Sequence, residues 1–139
     1  MTYLLDTNTC IQYLNGRSQR VKERIQSTKP EQVTLCSVVK AELFYGALRA
    51  RNPQRTITLL EAFFTPLRSL PFDDRSAETY GRIRARLTDL GIPIRPNDLL
   101  IAATAVTHGA VLVTHNTREF GRVEGLAWED WETGTRHWP

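Results

Sequence analysis

The sequence predicts an α/β fold, a three-layer α/β/α sandwich with a central parallel sheet. Two short runs, Tyr3–Leu5 and residues 110–113, are apolar throughout and lack the polar alternation of a half-exposed strand. Such runs are typical of central strands covered on both faces, as in a parallel sheet. Helical segments separate the strand candidates, and this alternation predicts right-handed crossovers with helices on both faces.

Two further strand candidates complete the predicted sheet. Val33–Cys36 is the third strand. Residues 67–72 are a weaker fourth, because Pro71 cannot donate a ladder hydrogen bond and so restricts this segment to a sheet edge or end.

Six helices are predicted between these strands. The first begins near Thr7, and the others cover residues 18–28, 37–51, 54–64, 76–90 and 98–108. Ser37 is a favourable cap for its helix, and Asn52 followed by Pro53 opens the next one. The segment 76–90 is amphipathic, whereas 98–108 is apolar nearly all round, which predicts a buried helix.

Length and composition favour one domain, residues 1–139, in which residues 132–139 form a loosely packed tail. Cys10 and Cys36 have no zinc-site spacing, and no signal peptide is recognisable, so we expect a reduced, cytoplasmic protein. No apolar run approaches the ~20 residues that span a bilayer, so we expect no membrane role. The net charge of +3 is compatible with nucleic-acid binding and equally with an ordinary solvated surface.

Three acidic residues occupy positions that suggest a shared site. Asp6 follows the first strand, Glu42 lies within an apolar helix, and Asp98 opens the buried helix. Ligands of parallel sheets bind beyond the carboxyl ends of the strands, where Asp6 is expected. Two carboxylates ~4 Å apart repel by roughly 4 kcal/mol at an effective dielectric near 20, so their convergence would require a cation.

Each acid also has a simpler interpretation, and these alternatives stay open. Asp6 is a favourable cap for the helix that begins near Thr7. Glu42 is positioned to pair with Arg49, and Asp98 is favoured by the positive end of its helix dipole. One metal site would explain all three acids together.

A polar loop follows the last predicted strand at the same edge of the sheet. Thr114, His115 and Asn116 form this loop, with Glu119 close behind. Thr114 and Asn116 are expected to orient water or ligands from outside the immediate metal site.

Four motifs resemble those of PIN-domain ribonucleases, in particular the VapC toxins of bacterial toxin–antitoxin pairs. They are Leu4-Leu5-Asp6-Thr7-Asn8, the helix carrying Glu42 and Gly46, residues 97–102 beginning Asn97-Asp98, and residues 112–120 containing Thr114-His115-Asn116. The resemblance covers essentially the whole chain in order, and the segment 128–131 is similar to one VapC subgroup.

This resemblance implies a metal-dependent endoribonuclease. Asp6, Glu42, Asp98 and Asn116 would be the catalytic residues, and the first three would hold Mg²⁺, with Mn²⁺ as a substitute. Hard divalent ions prefer such oxygen ligands. Thr7 and Asn8 would support Asp6 or the attacking water. The products would carry 5′-phosphate and 3′-hydroxyl ends.

One departure from the family pattern concerns the number of metal ions. Many PIN domains carry aspartate where this chain has Asn116, although the VapC subgroup that it resembles often has asparagine. Either Glu119 substitutes for the missing acid or one metal ion suffices.

The resemblance also implies partners. The substrate is RNA, and members similar to this chain cut the anticodon loop of initiator tRNA. A VapB-type antitoxin would neutralise the enzyme by placing its tail against the acids, and a homodimer is expected. The broad apolar arc of residues 53–64 is compatible with core packing or with a groove for a partner helix.

Arg84, Arg49 and His115 are the candidates for RNA contacts, since phosphate contacts position nucleic acid. Arg84 equally fits an arginine that lies over its own helix, and His115 fits a solvated loop residue.

Other functional classes fit less well. The Asp-x-Asp pattern of phosphatases, the late lysine of receiver domains, Gly-x-Gly-x-x-Gly and Gly-x-Ser-x-Gly are all missing. The remaining alternative is a catalytically inactive RNA-binding or scaffolding PIN domain, in which Asn116 marks the loss of activity.

Overall fold

A computed structural model describes residues 1–139. The strands are β1 (Tyr3–Leu5), β2 (Val33–Cys36), β3 (Arg68–Leu70), β4 (Val111–Val113), β5 (Trp128–Glu129) and β6 (Arg136–His137). The helices are α1 (Thr7–Leu14), α2 (Gln19–Ser27), α3 (Ser37–Leu48), α4 (Pro53–Phe64), α5 (Asp74–Asp89), α6 (Pro96–Thr107) and the short α7 (Thr117–Phe120).

The strands form one sheet in the order β3-β2-β1-β4-β5-β6. Tyr3 of β1 pairs in parallel with Val33 on one side and with Val111 on the other. The predicted parallel sheet is therefore confirmed for β1 to β5, and β3 is an edge strand as Pro71 required. Only β6 runs antiparallel, beside β5.

The connections explain the three layers. Strands β1, β2 and β3 follow one another toward one edge, whereas the chain returns across the sheet to reach β4. Right-handed crossovers therefore place α1 to α4 on one face and α5 and α6 on the other. The crossovers diverge between β1 and β4, where a crevice is expected beyond the carboxyl ends of the strands.

The core contains the residues that the apolar pattern indicated. Leu4, Leu5, Leu112 and Val113 are inaccessible to solvent. The helix α6 is buried along most of its length, as predicted. No helix of the structure combines the length and the apolar character needed to cross a membrane.

The caps correct two predicted helix starts. Ser37 was expected to cap α3, but it is the first helical residue, and Cys36 occupies the cap position without a side-chain hydrogen bond. Helix α5 begins earlier than predicted because Asp73 caps it by accepting a hydrogen bond from the Ser76 amide, 2.9 Å away. Asn52 caps α4 as predicted.

The C-terminal segment, predicted to be a loosely packed tail, contains the edge strand β6. Its pairing places His137 opposite Trp128. Residues 133–139 are nevertheless exposed to solvent.

Candidate active site

Asp6 stands where β1 ends and α1 begins. Its carboxylate accepts a hydrogen bond from the Thr9 amide at 2.8 Å, and the residue is buried. Burial is the main cause of a raised Asp6 pKa, and the charge of Glu42 acts in the same direction. Hydrogen bonds from Thr114 and Thr9 partly oppose that shift. Asp6 is therefore both the cap of α1 and a neighbour of Glu42.

Glu42 points from α3 toward the starts of α1 and α6. Its Oε1 accepts a 2.5 Å hydrogen bond from the Thr7 hydroxyl. Its Oε2 lies 3.4 Å from Asn97 Nδ2 and 3.9 Å from a guanidinium nitrogen of Arg95. The alternative pair with Arg49 is not formed. Arg49 follows the end of α3 and is exposed, so Glu42 is free to face the crevice.

Asp98 lies in the first turn of α6 and is buried. Its pKa is raised to about 7, mainly by burial and then by the negative charge of Glu119. Arg95 lowers that pKa in part, whereas Glu42 raises it further. Burial and the two neighbouring acids therefore outweigh the opposing effect of Arg95 on the Asp98 pKa.

Glu119 is the fourth acid of the cluster, on α7. It accepts hydrogen bonds from the Arg95 amide at 2.6 Å and from Asn116 Nδ2 at 2.9 Å. Burial acts to raise the pKa of Glu119, but these hydrogen bonds and one from Asp98 outweigh it, so the pKa is lowered. Asp98 and Glu119 are thus neighbouring carboxyl groups whose pKa values are shifted in opposite directions.

The predicted supporting residues have different surroundings. Thr114 is fully buried, and its hydroxyl accepts a 3.0 Å hydrogen bond from the Asn116 amide. Thr7 holds Glu42, as described above. Asn8 is exposed and makes no side-chain hydrogen bond, so it supports neither acid in this structure.

The structure therefore brings four carboxylates to the carboxyl edge of β1 and β4: Asp6, Glu42, Asp98 and Glu119. The facing cation is Arg95, whose side chain is 68% exposed and approaches only Glu42. Buried acids without matching cations are unfavourable unless they are protonated or bind a metal ion. Carboxylate oxygens are the ligand type that Mg²⁺ and Mn²⁺ prefer. The group of metal-ligand side chains whose ligand atoms already lie within 4.8 Å of one another is His115, Asp130 and Glu132.

Comparisons with known proteins agree with this arrangement. The PIN domain family matches residues 3–126. The chain is 37% identical over 131 residues to the tRNA(fMet)-specific endonuclease VapC of Salmonella typhimurium strain LT2, covering 94% of this chain and 98% of that protein. The corresponding Shigella flexneri protein is 38% identical over the same share of both chains. This chain belongs to the PIN-domain family, in its VapC branch.

The solved structures of VapC relatives support the same fold. DNA-bound VapBC from Salmonella typhimurium matches with a TM-score of 0.88 at 37% identity, covering 94% of this chain and 98% of that chain. The PIN-domain match includes all four acids and ends before the segment Trp128-Glu129-Asp130-Trp131. The acids thus belong to the part of the chain that is shared with the family.

The three residues of this chain that were predicted to contact RNA lie on different elements of the fold. Arg84 donates a 3.0 Å hydrogen bond to the Tyr80 hydroxyl of its own helix, which matches the alternative interpretation of that residue. Arg49 is exposed at the end of α3. His115 is beside the acids, and its Nδ1 lies 2.8 Å from Asp130 Oδ2. The hydrogen bond with Asp130 is the main cause of a raised His115 pKa.

The sequence did not reveal three residues that contact the acids of the candidate site. The Thr9 amide donates a hydrogen bond to the Asp6 carboxylate, and the Thr9 hydroxyl donates one to the Val113 carbonyl. Arg95 contacts Glu119 through its backbone and Glu42 through its side chain. Asn97 also approaches Glu42. Their positions beside Asp6 and Asp98 were the available signal, but nothing in the sequence distinguished them from ordinary helix-start residues.

Proposed function

We propose that this chain is a divalent-metal-dependent endoribonuclease toxin that hydrolyses RNA phosphodiester bonds. The observation that carries the proposal is the convergence of Asp6, Glu42, Asp98 and Glu119, of which Asp6 and Asp98 are buried with raised pKa values. Membership of the VapC branch supports the same activity.

The donor set fits Mg²⁺, with Mn²⁺ as a substitute. Asp6, Glu42 and Asp98 would hold the ion, and Glu119 is the candidate for the acid that Asn116 does not supply. The ion, when bound, supplies electrophilic stabilisation of phosphate charge and favours deprotonation of water. Asp98, whose pKa is raised to about 7, would be ionised on binding, because metal ligands must be deprotonated.

The residues around the acids hold them in position. Thr7 fixes one oxygen of Glu42 at 2.5 Å. Thr9 and Thr114 hydrogen-bond to Asp6, so its carboxylate cannot turn away from the crevice. Asn116 holds Glu119 at 2.9 Å, and we assign it this positioning role. Preorganised side chains of this kind save reorganisation during the reaction.

We further propose tRNA as the substrate class, with initiator tRNA as the specific target. The relatives from Salmonella typhimurium and Shigella flexneri carry the name tRNA(fMet)-specific endonuclease. Their similarity extends over 131 residues, 94% of this chain.

We also propose that a VapB-type antitoxin binds a groove beside the acids. This groove, of about 410 Å³, lies between α1, α3 and α4 and ends at Glu42. Ile11, Leu14 and Leu59 line it and are exposed for 42%, 39% and 57% of their surfaces. Exposed apolar side chains in one groove are typical of a site for an amphipathic helix. The end of the groove at Glu42 would let a bound chain continue to the acids.

Cleavage by purified protein tests the activity. Wild type, Asp98→Asn and the exposed control Asp89→Asn are incubated with initiator tRNA and with an elongator tRNA, in Mg²⁺, in Mn²⁺ and in chelator, and the RNA ends are mapped. We expect Asp98→Asn to lose activity by about 100-fold or more, while Asp89→Asn remains active. Full cleavage by Asp98→Asn, or by wild type in chelator, would refute the proposal.

A manganese titration separates the enzyme from an inactive RNA-binding or scaffolding member of the fold. A ligand at a hundred times its Kd stabilises a protein by about 2.7 kcal/mol, so the melting temperature of wild type should rise with Mn²⁺. Asp98→Asn should show a smaller rise. Absence of any rise in wild type would favour the scaffold.

A further inference from the structure

A second polar cavity lies at the edge of the sheet, away from the antitoxin groove. It has a volume of about 490 Å³ and is enclosed by α2 on one side and by the β5–β6 hairpin on the other. We call this cavity the hairpin pocket. Its lining includes Arg20, Arg24, Trp131, Arg136 and Trp138.

At the floor of the hairpin pocket, the charge of Glu129 is neutralised by Arg24. Arg24 lies 4.8 Å above the Trp131 ring and pairs with the buried Glu129 at 3.4 Å. The Trp131 indole donates a 3.0 Å hydrogen bond to the same Glu129 carboxylate. The Arg24 guanidinium therefore already has partners within the pocket, Glu129 and Trp131.

Two other guanidinium groups at the rim have no carboxylate partner. Arg20 and Arg136 line the pocket but form no salt bridge and no side-chain hydrogen bond. Glu23 is the exposed acid among the lining residues, and it accepts a hydrogen bond from Gln19 at 3.1 Å. The accessible charge at the rim is thus positive, and arginine forks suit phosphate oxygens.

Gly134 allows Arg20 to approach the hairpin closely. A Cβ atom at this position would lie 2.9 Å from Arg20 Nη2, and the backbone φ of +86° is unfavourable for other residues. The absence of a side chain at Gly134 therefore leaves room for the Arg20 guanidinium beside the hairpin.

An aromatic surface completes the rim. Trp138 is 47% exposed, and the Arg136 guanidinium lies 5.1 Å from its ring centroid. An exposed indole beside free arginines is the combination that binds single-stranded nucleic acid, in which bases stack and phosphates pair with guanidinium groups.

The hairpin pocket is connected to the acids by one loop. Asp130 lines the pocket, and its Oδ2 lies 2.8 Å from His115 Nδ1. His115 lies between Thr114, which hydrogen-bonds to Asp6, and Asn116, which holds Glu119. His115 therefore joins the lining of the pocket to the loop beside Asp6.

From these contacts we propose that the hairpin pocket binds a single-stranded nucleotide of the RNA that flanks the cleaved bond. Arg20 and Arg136 contact its phosphate, and its base stacks on Trp138. This inference rests on the proposed ribonuclease function and adds to it a substrate contact outside the acid cluster.

RNA binding in chelator tests this pocket without cleavage. The probes are initiator tRNA and a fluorescein-labelled oligouridylate, and the proteins are full-length wild type, Arg136→Ala, Trp138→Ala, Trp138→Phe and Arg68→Ala. Arg68 is exposed on β3, at the opposite edge of the sheet, and is the matched control. Melting temperatures verify that each variant is folded.

We expect Arg136→Ala and Trp138→Ala to raise the Kd for both probes by roughly fivefold to tenfold, because a stacked base and a phosphate contact are lost. Trp138→Phe should recover most of the affinity, since it restores an aromatic face. Arg136→Ala should also reduce the slope of log Kd against log salt concentration by ~1. Arg68→Ala should bind as wild type does.

Unchanged Kd values and salt slopes for Arg136→Ala and Trp138→Ala would overturn the pocket proposal, even if Asp98→Asn abolishes cleavage. Loss of antitoxin binding with intact RNA binding would also overturn it, since the pocket would then serve a protein partner. If the pocket variants lose RNA affinity while Asp98→Asn still cleaves, the pocket stands and the metal-dependent mechanism fails. A wild-type protein that binds neither probe overturns the pocket proposal, and the cleavage assay in Mg²⁺ then decides the ribonuclease function.

Discussion

The hydroxyl of Thr7 donates a 2.5 Å hydrogen bond to Oε1 of Glu42, a residue 35 positions later in the chain. This bond joins the first turn of α1 to the middle of α3, so it sets the distance between the strand-end acid Asp6 and the helical acid Glu42. A hydroxyl that holds a carboxylate also limits the orientations from which that carboxylate can bind a cation.

Replacing Thr7 by valine tests this contact. The shape of the side chain is kept, but Glu42 loses its hydrogen-bond donor, and we expect RNA cleavage to fall by roughly 10- to 100-fold through weaker metal binding. Cleavage rates measured over a range of Mn²⁺ concentrations should show this. Thr7→Ser should restore activity. Wild-type activity in Thr7→Val would mean that Glu42 is held by other contacts.

Replacing Asn116 by aspartate adds a negative charge beside Glu119. The 2.9 Å hydrogen bond from Asn116 Nδ2 becomes a repulsion between carboxylates, worth about 1 kcal/mol near 4 Å in water. We expect the metal-free variant to be less stable than wild type and to gain more stability from Mn²⁺. Urea unfolding with and without Mn²⁺ measures both effects. An equal loss in both conditions would exclude a metal role at this position.

The cap of α5 predicts a pH dependence of stability. Hydrogen bonds from the Ser76 amide and hydroxyl lower the pKa of Asp73, and His108 contributes in the same direction. The stability supplied by ionised Asp73 is therefore fully present above its unfolded pKa of about 3.9 and is lost as the pH falls through the lower folded value.

Asp73→Asn keeps a cap acceptor without the charge. We expect wild type to exceed this variant in unfolding free energy at pH 7, and the difference to disappear as acid protonates Asp73. Urea unfolding from pH 7 down to pH 2 measures this difference. A difference that stays constant over that range would contradict the assignment.

Gly46 and Gly81 form a matched pair for testing the antitoxin groove. Both are exposed helical glycines whose added Cβ would meet no atom within 4 Å, but only Gly46 lines the groove. Replacing either by glutamine should stabilise the protein by roughly 0.5–1 kcal/mol, because glycine is a poor helix former.

Only Gly46→Gln should weaken inhibition by the antitoxin, since its side chain would enter the groove. Residual RNA cleavage against antitoxin concentration measures this effect. Equal inhibition of both variants would place the antitoxin elsewhere.

The outline of the fold could be predicted because most of its strands and helices carry a local sequence signal. The apolar runs of β1 and β4 indicated buried parallel strands, and Pro71 indicated an edge. The strands β5 and β6 could not be found, because each contains only two residues and shows no period. The helix start at Asp73 was missed because the predicted helix was drawn from its amphipathic segment, residues 76–90, and not from its cap.

The sequence allowed us to predict which acids belong to the candidate site, but not which residues contact them. Asp6 and Asp98 were recognisable because they stand at a strand end and a helix start. Glu42 was recognisable as an acid among apolar residues. Arg95 was not, since its amide binds Glu119 and its side chain approaches Glu42 only after α6, α7 and α3 have packed together.

The amino-acid sequence by itself determined the buried strands, the amphipathic helices and the three acids, since these depend on local periodicity and residue type. Tertiary structure alone decided that Glu42 faces Thr7 and Arg95 rather than Arg49. It also decided that Asp98 and Glu119 lie close enough to shift each other's pKa. Such pairings depend on distances across the sheet edge, which chain order does not encode until the hydrophobic core has brought the elements together.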